Sequence, residues 1–232
     1  MAKAASSKSS ATELHFDSGA GRVSAVLDAP KNAWAGYVFA HGAGAGMRHP
    51  FMKNVAEGLA ARGIAVLRYQ FPYMEAGSGR PDRPPVAHAT VRAAVATAAM
   101  ALPKVPLIAG GKSFGGRMTS QAQALEPLAT VVGLAFFGFP LHPAGKPSDE
   151  RAAHLREIDV PMLFLQGTRD ALAELSLLKP LVKKLGKTSM LHLVEGGDHS
   201  FKVPAAAGRK PAEVMDELLD TFGEWARGIV DD

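Results

Sequence analysis

The chain contains no cysteine. Disulfides, thiolate nucleophiles and cysteine metal sites are thereby excluded, and the composition suits a reducing cytoplasm, the compartment we expect. Long apolar runs are also missing. Nothing approaches the roughly 18 unbroken residues that a membrane span needs, and mean hydropathy is close to zero. No membrane partner is therefore expected. The segment from Ala2 to Ser10 is small, polar and lysine-bearing, with no apolar stretch behind it. It reads as a disordered tail over residues 1–11 rather than a secretory signal. Concentrated charge is lacking as well: the formal net charge is +4, and Lys3 and Lys8 of the tail supply two of the four. The other basic residues are interspersed with acids, which excludes a nucleic-acid footprint. No H-E-x-x-H or comparable ligand spacing occurs, so no metal is expected. Gly111-Lys112-Ser113 resembles only the tail of a Walker motif, because Pro106 stands where its first glycine belongs. Internal repeats and proline- or glycine-rich linkers are absent too, so residues 12–232 read as a single domain.

What is present is a chain of 232 residues, 47% hydrophobic, enough to bury a sizeable core. Strand-like and helix-like segments alternate, the pattern of an α/β fold with a mostly parallel sheet of about eight strands and helices on both faces. An opening pair of strands is expected at Glu13–Asp17 and Arg22–Asp28, joined by Ser18-Gly19-Ala20-Gly21. Apolar runs follow at Gly36–Ala40, Ile64–Tyr69, Pro106–Gly110, Val131–Phe137, Met162–Gln166 and Met190–Val194. Their continuous character is what strands covered on both faces require. Helical spacing joins Val55 to Leu59 and Val91 to Val95. Near the C-terminus Val214, Leu218, Phe222, Trp225 and Ile229 form one apolar stripe, read as core packing. Pro180 is expected to break or restart the helix between Glu174 and Leu185.

Chemistry concentrates at Gly111-Lys112-Ser113-Phe114-Gly115, which follows an apolar strand and precedes a helical segment. That context suits a nucleophile elbow, whose tight turn holds its serine in a strained conformation and admits only glycine two positions either side. A serine nucleophile needs a base, because its hydroxyl attacks poorly unless the proton leaves during attack. Four histidines follow Ser113: His142, His154, His192 and His199. His192 lies inside a strand pattern and suits a packed role. His199 sits in the glycine-rich loop Glu195-Gly196-Gly197-Asp198-His199-Ser200 beyond the last strand, at the carboxyl end of the sheet where Ser113 also emerges. For the orienting acid, Asp170 follows the strand Met162–Gln166 at that same end. Asp198 adjoins His199, and neighbouring side chains in an extended loop diverge. Glu195 sits at the strand's very end, and Asp149 lies in a polar loop. The oxyanion donors would be the amide of Phe114 and one from His41-Gly42-Ala43-Gly44-Ala45-Gly46, a loop without long side chains. The same loop fails as a dinucleotide fingerprint, since Met47 replaces the third glycine and no acid follows at ribose-binding distance. No cofactor is expected.

These segments, with Phe139-Pro140-Leu141-His142-Pro143 and Gln166-Gly167-Thr168-Arg169-Asp170, resemble the α/β-hydrolase superfamily over most of the chain from Trp34 onward. The resemblance is to small dienelactone-hydrolase-like members and to a subgroup named after a testis-expressed protein and a chromatin-complex subunit. It implies Ser113 as nucleophile, Asp170 as acid, His199 as base, and Phe114 and Ala43 as oxyanion donors. Two departures stand out. Dienelactone hydrolases proper use a cysteine nucleophile, so their lactone substrate is not implied. Many members insert a helical lid after the sixth strand, whereas here only Pro140 to Ala153 lies there, implying little or no lid and an open site. His41, Gly42, Tyr73 and His142 are expected to line the substrate, with a structural hydrogen bond the alternative for His142 and loop anchoring the alternative for His41. The expected function is hydrolysis of carboxylic esters or thioesters of small acyl substrates. Alternatives are acyl transfer or perhydrolysis through the same acyl-enzyme, and a catalytically silent interaction protein.

Overall fold

A computed structural model of the chain describes residues 10–231. The expected tail therefore lies outside the described residues, apart from Ser10 and Ala11, which open the first strand. Eight strands form one sheet in the order β1-β2-β4-β3-β5-β6-β7-β8. They span Ser10–Asp17, Arg22–Ala29, Ala35–Ala40, Ile64–Tyr69, Leu107–Lys112, Val131–Phe137, Met162–Gly167 and Ser189–Val194. β1 pairs antiparallel with β2, and β2 with β4; every other neighbour is parallel. Mixed order arises because β3 lies between β4 and β5, so the chain reverses its winding direction there. A reversal of this kind opens a crevice at the carboxyl ends of the strands.

Among the described residues six α-helices flank the sheet: α1 (Pro50–Ala61), α2 (Pro72–Glu75), α3 (Pro84–Ala101), α4 (Phe114–Leu125), α5 (Leu175–Leu185) and α6 (Pro211–Val230). The two-residue period of the strands sorts side chains between them. Tyr37, Phe39, Ile108 and Phe137 point toward α1 and α6, meeting Val55, Leu59, Leu218 and Phe222. Val38, Ala109 and Phe136 enter the opposite core with Val91 of α3, Met118 of α4 and Leu178 of α5. Phe222 stacks on Phe137 at 6.2 Å between ring centroids, so the stripe on α6 is core packing.

Two local expectations change. α5 runs unbroken through Pro180. Proline there forfeits one backbone bond in the second turn, and the buried Leu178, Leu181 and Val182 hold the helix against the sheet. β8 is not covered on both faces; it closes the sheet as an edge strand, with Met190 exposed at 43%. The connection from β6 to β7 carries one 3₁₀ segment, Glu150–Glu157, and no helical lid. Among the described residues, no helix is long and apolar enough to cross a membrane.

Candidate active site

β5 extends two residues beyond its expected end, so Gly111 and Lys112 close the strand and the turn falls at Ser113. Ser113 has φ 51° and ψ −115°, a conformation that non-glycine residues adopt only under constraint. A Cβ on either Gly111 or Gly115 would come within 2.5 Å of the Ala40 carbonyl oxygen, so the elbow seats against the end of β3 only with glycine at both. The result is a partly exposed hydroxyl at the carboxyl end of the sheet.

His199, in the loop after β8, reaches this hydroxyl: its Nε2 lies 2.9 Å from Ser113 Oγ. The other ring nitrogen, Nδ1, lies 2.6 Å from Oδ2 of Asp170, in the loop after β7. An ionised carboxylate only accepts, so Nδ1 carries the proton and Nε2 is left to accept from the serine. Asp170 is fully enclosed at its side chain, whereas His199 is 26% exposed. The Asp170 carboxylate accepts two further bonds, from Gln166 Nε2 at 2.5 Å and from the Leu172 amide at 2.8 Å. Gln166 in turn accepts the amide of Phe139 at 2.9 Å, linking the ends of β6 and β7 beneath the acid.

The loop after β3 lies against the elbow. A Cβ at Gly42 would sit 3.8 Å from that of Ser113. Among the described residues, neither the Phe114 amide nor the Ala43 amide donates to a protein acceptor. Tyr73 fixes this loop from behind, donating its hydroxyl to the Ala43 carbonyl at 2.8 Å, and burial raises its pKa above the ordinary tyrosine value. Tyr73 is thus a buried brace for the loop rather than a free lining residue.

His41 and His142 make the loop-anchoring and structural hydrogen bonds that the sequence offers as alternatives for them. Both rings are fully buried. His41 accepts the Phe71 amide at Nε2 (3.1 Å), so Nδ1 carries the proton that it donates to Gly42 O (2.8 Å). Burial pushes its pKa down to about 4, which keeps it neutral. His142 repeats the arrangement, accepting the Glu174 amide at 3.2 Å and donating to Pro143 O at 2.9 Å. With both nitrogens hydrogen-bonded, each ring is a strut between loops. His192 bonds Glu217 on α6 at 2.7 Å, and Asp198 accepts the Ser200 and Lys202 amides of its own loop.

A second serine–histidine contact has no counterpart among the sequence expectations: Ser120 Oγ lies 2.8 Å from His154 Nε2. Ser120 sits in mid-helix on α4 and returns its own proton to the Arg117 carbonyl. Burial and the Arg117 charge depress His154 to about 4. Among the described residues no carboxylate meets its Nδ1, so the pair lacks the third member of a relay.

Lys112 stands in the sequence only as one residue of the Gly111–Gly115 motif. Its Nζ donates to the His199 carbonyl at 2.5 Å and stands 5.8 and 5.3 Å from the ring centroids of Phe51 and Phe201. Burial lowers its pKa to about 8 despite the opposing pull of Asp170 and Asp198. Phe51 and Phe201 also begin an apolar groove of about 880 Å³ between α1 and α6, which does not include Ser113 or His199.

A family model described as an alpha/beta hydrolase domain matches residues 34–227. Solved structures share the fold at low identity. A dienelactone hydrolase from Anabaena variabilis superposes with a TM-score of 0.77 at 19% identity, covering 96% of this chain and 99% of its own. A serine hydrolase without a lid from Xanthomonas campestris gives 0.71 at 19%, covering 97% and 98%. Est1E from Butyrivibrio proteoclasticus with ferulic acid bound gives 0.74 at 16%, covering 94% and 100%.

Proposed function

The chain belongs to the alpha/beta hydrolase domain family, and from that premise we propose a serine hydrolase that cleaves carboxylic esters or thioesters of small acyl groups. One observation carries the reading. A strained, partly exposed serine hydroxyl lies 2.9 Å from an imidazole whose far nitrogen lies 2.6 Å from an enclosed carboxylate. His199 Nε2 takes the Ser113 proton as Oγ attacks the acyl carbonyl, while Asp170 fixes the ring and stabilises the imidazolium that forms. The amides of Phe114 and Ala43 receive the developing oxyanion; one such donor supplies about 2.7–4 kcal/mol of transition-state stabilisation. His199 then returns the proton to the departing alcohol or thiol. Water, deprotonated by the same imidazole, releases the acid. The short β6–β7 connection supports small or protruding acyl groups, because no lid encloses a long chain. The test is turnover of p-nitrophenyl and thioester acyl substrates by the native chain and by Ser113→Ala. A folded alanine variant that turned over as fast as the native chain would exclude Ser113 as nucleophile.

A further inference from the structure

We propose that Lys112 is a positioning residue for the base: its ammonium ties the loop bearing His199 to the end of β5 beside Ser113, and turnover requires that charge. The proposal rests on the serine-hydrolase reading above. Three observations converge on it. First, among the described residues the Lys112–His199 carbonyl bond is the one hydrogen bond made by the main chain of His199. The imidazole therefore approaches Ser113 from a loop secured at that residue by Lys112. Second, the amine lies over two rings from different elements, 5.8 Å from the centroid of Phe51 of α1 and 5.3 Å from that of Phe201 of the His199 loop. The rings are 5.9 Å apart with planes 10° from parallel, so the ammonium flanks the pair from one side. Cations bind such faces electrostatically, and more strongly where water is excluded. Third, space is reserved at the end of β6. Gly138 has φ +70°, and a Cβ there would stand 2.7 Å from Lys112 Nζ and 3.4 Å from His199 Cε1.

Charge rather than bulk is what this seat selects. A methionine would keep the apolar contact with the two rings but could not donate to the carbonyl. Facing the ammonium are the Asp170 and Asp198 carboxylates and the His199 imidazole of the loops; α1 contributes the uncharged Phe51 and β6 leads to Gly138. Among the described residues neither carboxylate is within ion-pair distance of Nζ, so a carbonyl dipole and two ring faces hold the charge directly. Because burial lowers Lys112 to about 8, the strap loses its proton as pH rises through that value.

The experiment compares native chain, Lys112→Met and Lys112→Cys on p-nitrophenyl acetate across pH. A base held about 1 Å from its place costs roughly 100-fold, so Lys112→Met is expected to lose about 100-fold in kcat with KM little changed and the fold retained by circular dichroism. The native kcat should fall as pH rises through about 8, a limb that Lys112→Met lacks. Since the chain has no cysteine, Lys112→Cys can be alkylated while unfolded and then refolded. Treatment with 2-bromoethylamine restores an amine of nearly lysine length and should recover most of kcat, whereas iodoacetamide should not. A Lys112→Met variant with native kcat, or equal recovery with both reagents, would overturn the proposal. Absence of turnover by the native chain on any acyl ester or thioester would instead overturn the hydrolase reading, and this proposal with it.

Discussion

Replacing Gln166 by leucine isolates the support beneath Asp170. Gln166 is wholly buried, donates to the Asp170 carboxylate at 2.5 Å and accepts the Phe139 amide at 2.9 Å. Leucine nearly preserves the volume and removes both bonds. A hydrogen bond to a charged group contributes about 1.5–3 kcal/mol, and an orphaned buried amide costs about 1–3 kcal/mol. Added apolar contact offsets little, since the site is already closed, so Gln166→Leu should destabilise the chain by about 3–5 kcal/mol. At this chain length each kcal/mol corresponds to roughly 2–4 °C, giving a melting temperature lowered by about 6–20 °C. Urea unfolding should show a lower midpoint with an unchanged slope. Activity should fall as well, because the carboxylate that fixes His199 keeps only the Leu172 amide as a second partner. Gln166→Glu separates the two roles. It retains an acceptor for Phe139 but sets a carboxylate against Asp170, where two like charges cannot both ionise cheaply. A Gln166→Leu variant within about 1 kcal/mol of the native chain, with native kcat, would refute the reasoning.

Other consequences follow from the surrounding contacts. Arg68 and Asp28, a buried pair at 2.8 Å, link β2 to β4, and Arg68 also donates to Met47 O of the loop after β3. Asp28→Asn should cost about 3–5 kcal/mol in urea unfolding, whereas the double change Asp28→Leu with Arg68→Met should be near neutral. Tyr73→Phe removes the brace on the Ala43 carbonyl; steady-state kinetics should show kcat down by about 10-fold with KM little changed. Buried His41 is neutral, with a folded pKa lowered to about 4. The unfolded chain therefore binds more protons between pH 6.5 and 4, and stability present above that window is lost as pH falls through it. Denaturation midpoints measured across the window should register a loss of about 3 kcal/mol from this residue by its acidic end, with His154 adding in the same direction.

Much of this architecture is legible in the sequence because a parallel sheet buried on both faces imposes continuous apolar runs. Ile64–Tyr69 and Val131–Phe137 show it to the residue. Ser113, Asp170 and His199 could be singled out because each follows a strand at the carboxyl end of the sheet, which is a property of chain order. What could not be read depends on neighbours remote in sequence. Hydrogen bonding is an alternative that the sequence offers for both His41 and His142, but the partners themselves, backbone amides 30 and 32 residues away, are set only by the fold. Gln166 left one trace, a polar residue ending an otherwise apolar strand, but its partner Phe139 lies in the turn just past β6 and is brought to it only by the fold. Lys112 occupies a variable position of its motif, and only the folded loops bring Phe51, Phe201 and the His199 carbonyl around it. Pro180 misleads because propensity is local while the apolar face of α5 is held by tertiary packing.

Covalent labelling with a fluorophosphonate, followed by peptide mapping, tests the central claim most directly, because it reads the nucleophile without needing the natural substrate. The account predicts stoichiometric modification at Ser113 in the native chain and strong suppression in folded His199→Ala. A folded native chain that stayed unlabelled, or one labelled at Ser120 in place of Ser113, would contradict it.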